Sequence, residues 1–199
     1  MVAARARSGG RANLRFELAD AASFAHPDGP ADLIVSRHGV MFFSDPPAAF
    51  AQMAQAAAPG ARIVFSCFRS ASENLWASGV AALLPPAEPT APQAFPAGPF
   101  AFADPDHVRR CMAGWTDLVF TPVDFTYVAG EGADPVADAL DFFRRIGPAA
   151  AAMRALPESA RASFEDRLAA FVREHRIGAR VTFPAAAWIV TATVGSALR

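Results

Sequence analysis

The residues best placed to do chemistry are Ser36, Arg37 and His38, which close a short apolar run, Asp32 to Ser36 (DLIVS). In an open α/β sheet, ligands bind outside the carboxyl ends of the strands, so a hydroxyl, a guanidinium and an imidazole there make a candidate site. His38 suits a base toward a substrate hydroxyl or amine, because imidazole changes charge near neutral pH. The same position equally suits a polar pocket wall. Phe42, Phe43 and Trp76 either line an apolar substrate pocket or pack in the core. Asp20 lies in a loop, where an acid commonly caps a turn.

Other chemistry-bearing residues are less organised. Gly130-Glu131-Gly132 lies between a strand and a helix, but it lacks a third glycine and a lysine, so it reads as a plain turn. His26, His107 and His175 have no metal-ligand spacing. Cys67 and Cys111 form no CxxC pair and read as buried thiols. No GxSxG nucleophile motif occurs.

These residues need elements to position them. Met1 to Arg7 reads as the tail of a helix ended by Gly9-Gly10. Asn13 to Ala19 (NLRFELA) alternates and predicts a strand. Asp20 to Ala31 is a loop, and Asp32 to Ser36 predicts a strand buried on both faces. Ser44-Asp45-Pro46-Pro47 starts a helix whose period runs to Pro59-Gly60, which turns the chain. Arg62 to Phe68 predicts the next buried strand, and Ser72 caps a helix through Trp76 to Leu84. Pro85 to Pro99 is a proline-rich loop or flap. Asp104-Pro105 and Asp134-Pro135 open further helices, with a long strand between them at Leu118 to Val128, bent at Pro122. Pro157 to His175 is amphipathic, and Ala186 to Val194 predicts a closing strand. Strands alternating with helices imply an α/β sheet with helices on its faces.

The chain has 199 residues, of which 53% are hydrophobic and 19% charged, as in a globular domain. All 18 basic residues are arginine, and the formal net charge of -1 leaves no electrostatic footprint for nucleic acid. Arg5, Arg7, Arg11 and Arg15 read as a solvated face. No apolar run reaches the roughly 20 residues needed to span a bilayer. The first ten residues lack the apolar segment of a secretory signal, so a cytoplasmic location is expected.

Ala31 to Phe43 (ADLIVSRHGVMFF) continues as SDPPAAFAQMAQAAAPGARIVFSCFR to Arg69. This stretch resembles the middle of class I S-adenosylmethionine-dependent methyltransferases. In that family an acid, apolar residues and a small residue form the fourth strand. A helix, a proline-glycine turn and the fifth strand follow. Leu18-Ala19-Asp20-Ala21 resembles the end of the third strand, and Pro99 to Arg109 with Trp188 to Thr193 resembles the region of the sixth and seventh strands.

The resemblance implies S-adenosylmethionine as cofactor and methyl transfer to a small-molecule acceptor, with no metal required. It assigns Asp20 and Ala21 to the adenine and Ser36 and Arg37 to the methionine end. His38, Phe42 and Trp76 are then the residues expected to hold the acceptor. The family's glycine-rich cofactor loop and its ribose-binding acid are not in this sequence, which also counts against a nicotinamide-dependent oxidoreductase. Two strand-helix units of roughly 30 residues each are thus expected to be absent. The expectation is a truncated, single partial domain over 1–199: a Rossmann-like α/β sheet lacking its first strands. It carries a flap at 84–100 and a helical lid at 134–176 before the last strand. Asp32 to Ser36 then becomes an exposed edge, open to homo-oligomerisation. The alternative is a non-catalytic remnant or a partner-binding fragment of such an enzyme.

Overall fold

The computed structural model describes residues 2–7, 9–24, 26–84 and 97–195. A short helix, α1 (Val2–Arg7), ends before Gly9-Gly10. Among the described residues from Gly9 to Pro30 there is no helix or strand, so the strand expected over Asn13–Ala19 does not form. Alternation supplies a face, but a strand exists only where a neighbour satisfies its N–H and C=O groups. Here the segment is tied by side chains instead: Arg15 pairs with Glu17 at 2.9 Å and Asp28 at 3.0 Å.

The DLIVS run forms β1 (Ala31–Arg37). The helix α2 (Pro46–Gln55) follows, with the Asp45 carboxylate accepting from the Ala48 amide at 3.1 Å. It stops at Gln55 rather than at Pro59-Gly60, because Ala57 already pairs with Ala31 and opens β2 (Ala57–Phe68). Ser72 caps nothing: Ala71–Glu73 makes one 3-10 turn under a Ser70–Glu73 capping box, and Asn74 begins α3 (Leu75–Ala82). The expected flap at 84–100 falls largely on residues 85–96, outside the described residues.

Asp104 caps α4 (Pro105–Cys111), and a long strand β3 (Trp115–Glu131) follows. Pro122 does not bend it. Pro122 pairs in register with Trp188, and the irregularities fall at Thr116/Val119 and Val128/Gly130. A proline is tolerated there because β3 is an edge strand with an unpaired side. The 134–176 segment folds as three helices: α5 (Pro135–Arg145), α6 (Gly147–Ala155) and α7 (Glu158–Glu174). An unforeseen two-residue strand, β4 (Arg176–Ile177), turns into β5 (Arg180–Val194), which begins six residues before the expected Ala186.

The sheet order is β1-β2-β5-β3. The β1–β2 pair is parallel, and β5 inserts antiparallel between β2 and β3. Only one face of β2 is fully buried: Ala61, Ile63, Phe65 and Cys67 lie inside, and Phe65 packs against Phe50 of α2 and Phe102. β1 is not buried on both faces either. It pairs on one side alone, and Leu33 and Val35 are 49% and 68% exposed. That is the apolar edge expected of β1 when no strand lies beyond it.

Gly130 sets how the helical insertion leaves the sheet. A β-carbon at Gly130 would sit 2.2 Å from the Pro135 carbonyl oxygen and 2.5 Å from the Ala139 amide nitrogen. Both belong to the first turns of α5, so neither can yield without moving the helix. Gly130→Ala is expected to lower stability by about 1–3 kcal/mol, read as a shift in the urea midpoint. An unchanged midpoint would show that α5 is not fixed by this contact.

Candidate functional site

Beyond the carboxyl end of β1 lies a cavity of about 1200 Å³. Arg37 and His38 reach it from β1, Phe68 from the end of β2, Trp76 from α3, Tyr127 from β3 and Arg154 from α6. Each of these sits at or next to the end of an element or on the overhang of β3 beyond β2.

Trp76 is the centre of the aromatic wall. Its ring is nearly parallel to Tyr127 at 5.2 Å and to Phe100 at 5.8 Å. Phe68 lies 5.1 Å from Trp76 and stacks on His38 at 4.2 Å. Tyr127 carries the wall on to Phe142 of α5 at 5.9 Å. Such pairs contribute about 0.5–1.5 kcal/mol each beyond the area they bury, so the wall is held in one arrangement.

Asn74 orients it. Its side chain is fully buried. The amide nitrogen donates to the carbonyls of Ser70 at 2.9 Å and Ala186 at 3.1 Å. The amide oxygen accepts from the Ala186 N–H at 3.1 Å and from the Trp76 indole N–H at 3.3 Å. One side chain thus joins the 3-10 turn, the middle of β5 and the indole.

His38 is in the left-handed region, with φ 50, and its backbone N–H donates to the Ser66 carbonyl at 3.1 Å. Its Nδ1 is buried and has no hydrogen-bond partner among the described residues. Burial, and then the neighbouring Arg37 charge, push its pKa below the ordinary 6.5. The imidazole is therefore neutral near pH 7. Burial pushes the Tyr127 hydroxyl up, with Arg37 opposing, which keeps it protonated. Cys67 is inert: burial pushes its thiol up to about 12, and it donates to the Phe102 carbonyl at 3.5 Å.

Of the residues singled out in sequence, Arg37, His38, Phe42 and Trp76 meet at this cavity. Phe43 takes the core alternative, packing edge-on to Phe50 at 6.3 Å. Ser36 stays on β1 outside the cavity lining, facing Gly39. Asp20 and Ala21 lie apart from it. The Asp20 carboxylate accepts from the Ala22 amide at 2.9 Å, the turn-capping alternative, and Ala21 borders a smaller hollow of about 440 Å³ with Leu33 and Met53. Sequence reasoning missed Phe68, Phe100, Tyr127, Phe142 and Arg154. Their apolar or basic types carry no signal that separates a cavity wall from core or surface. Among the described residues no three His, Cys, Asp or Glu side chains cluster as metal ligands, and no helix is long and apolar enough to cross a membrane.

A family model described as a methyltransferase domain matches residues 2–116, more than half of the chain. No curated protein matches. Two solved structures share the fold. One comes from work on the conversion of a disulfide bond into a thioacetal group during echinomycin biosynthesis. It is 15% identical with a TM-score of 0.54, and the match covers 97% of this chain but only 61% of that one. The other, a candidate methyltransferase from Bacillus halodurans C-125, is 11% identical with a TM-score of 0.51, covering 96% of this chain and 76% of that one. The chain therefore spans about three fifths of the first of these structures.

The lowered His38 pKa makes a stability prediction. Above 6.5 His38 is neutral in both folded and unfolded states, so it adds no pH dependence. Between 6.5 and its lower folded value the unfolded chain takes the proton first, so stability falls as pH falls. Urea midpoints of His38→Gln should decline less steeply below pH 6.5 than those of the unsubstituted protein. Parallel profiles would remove His38 as the cause.

Proposed function

The chain belongs to the methyltransferase domain family, and from that we propose that it serves methyl transfer from S-adenosylmethionine to a small-molecule acceptor held in the aromatic cavity. The observation that carries this reading is the cavity itself, set beyond the carboxyl end of β1 with a neutral imidazole in its wall. The cofactor supplies a methyl group already activated by a sulfonium, so the protein's task is to align the acceptor and exclude water.

The buried, unpartnered Nδ1 of His38 supports a second molecule at this point, since a buried acceptor atom without a hydrogen bond costs about 1–3 kcal/mol. In the tautomer with its proton on Nε2, Nδ1 offers a lone pair to an acceptor hydroxyl or amine. Arg37, with Ser36 beside it, is the part of the cofactor set that fits the methionine end. For Asp20 and Ala21 the family resemblance alone supports an adenine role. Trp76 and Phe42 hold the acceptor, and α5, α6 and α7 act as its lid.

One observation favours a second reading, a partner-binding fragment: the bare edge of β1 with Leu33 and Val35 exposed. A homo-oligomer joined through that edge fits the same observation.

Calorimetric titration with S-adenosylhomocysteine separates the two. The methyltransferase reading expects a saturable heat that NAD does not produce and that Arg37→Ala weakens several-fold. A folded protein that gives no more heat with S-adenosylhomocysteine than with NAD, and that associates with rising concentration, would replace this reading with the second.

A further inference from the structure

The cavity has a charge as well as a shape. Its walls are aromatic, and among the described residues its lining includes no Asp or Glu and two charged side chains, Arg37 and Arg154. Among the described residues, six other arginines are held in ion pairs. Arg15, Arg69, Arg109, Arg110, Arg144 and Arg180 each pair with a carboxylate. Arg37 and Arg154 have no ion pair or hydrogen bond among the described residues. They come from separate elements, β1 and α6, onto one cavity.

We propose that the acceptor is a planar aromatic molecule carrying an anionic group, a carboxylate in the simplest case. Its ring lies against Trp76, Tyr127 and Phe68, and its anion meets Arg154, while Arg37 stays with the methionine end of the cofactor. Guanidinium pairs with carboxylates through parallel N–H donors, and such charge-assisted bonds are about twice as strong as neutral ones. Flat rings gain from offset stacking on the wall, and a neutral analogue of the same shape keeps that gain but loses the charge term. This inference rests on the reading of the cavity as the acceptor site.

The test is calorimetric titration of the full chain with 2-naphthoate and with its neutral isostere 2-naphthamide, at low and high salt. The proposal expects the naphthoate to bind about tenfold more tightly at low salt, in line with one net charge-assisted contact. It expects the gap to narrow at high salt and to vanish in Arg154→Gln. Arg110→Gln, whose arginine pairs with Asp104 away from the cavity, should leave it unchanged. Equal affinity for acid and amide would overturn the anionic acceptor while leaving the aromatic acceptor site standing. Binding of neither ligand to the folded protein would overturn both.

Discussion

A buried amide side chain has no water to fall back on, so every partner it needs must be inside the protein. Asn74 meets that constraint with five contacts: the Arg69, Ser70 and Ala186 carbonyls for its nitrogen, and an N–H and an indole for its oxygen. The rest of the site depends on it. The Ala186 N–H and C=O are both engaged by this one residue while Ala186 also faces Asp124 of β3. The turn that ends β2 is held to the middle of β5 through the same side chain, and Arg69 adds a backbone bond to the same Ala186 carbonyl at 3.0 Å. The indole fixed by Asn74 then sets the plane on which Tyr127, Phe100 and Phe68 stack.

The protein divides the work of the cavity between two stretches of chain. The part that matches the family, residues 2–116, supplies Arg37, His38, Phe42, Phe68, Trp76 and Phe100. The long β3–β5 ribbon and the helices between its strands lie almost wholly beyond that part, and they supply Tyr127, Phe142 and Arg154. Physically this is a fixed floor with an added wall. β2 and β5 hold the floor by continuous backbone pairing from Arg62–Thr193 to Phe68–Ala187. The added wall is anchored where Gly130 lets α5 come down onto β3. Such an arrangement allows the added wall to change without disturbing the end of β1.

Local chemistry was legible in the sequence, and pairing at a distance was not. Ser44-Asp45-Pro46-Pro47, Asp104-Pro105 and Asp134-Pro135 read as helix starts, and at each the aspartate carboxylate accepts from a backbone N–H of the first turn. The DLIVS run read as a strand ending in the candidate site, and His38 and Trp76 do meet there. NLRFELA had an equally clear pattern and forms no strand, because its period says nothing about whether a neighbour is present. Pro59-Gly60 read as a stop, yet β2 reaches back past it to pair Ala57 with Ala31. Arg154 and Phe142 were invisible as site residues, because only the packing of α5 and α6 brings them to the cavity. Asn74 was missed for the same reason: its partner Ala186 is 112 residues away.

The central claim is that Asn74 holds Trp76 in place and so builds the cavity. The protein has three tryptophans, and the indole N–H groups of all three donate inside the fold: Trp76 to Asn74, Trp115 to the Phe50 carbonyl and Trp188 to the Ala103 carbonyl. Hydrogen exchange of these three indole protons, followed by nitrogen-15 NMR in the unsubstituted protein and in Asn74→Ala, tests the claim directly. The account predicts that in the variant the Trp76 proton loses its protection while those of Trp115 and Trp188 keep theirs. A Trp76 proton that stays protected in folded Asn74→Ala would contradict it.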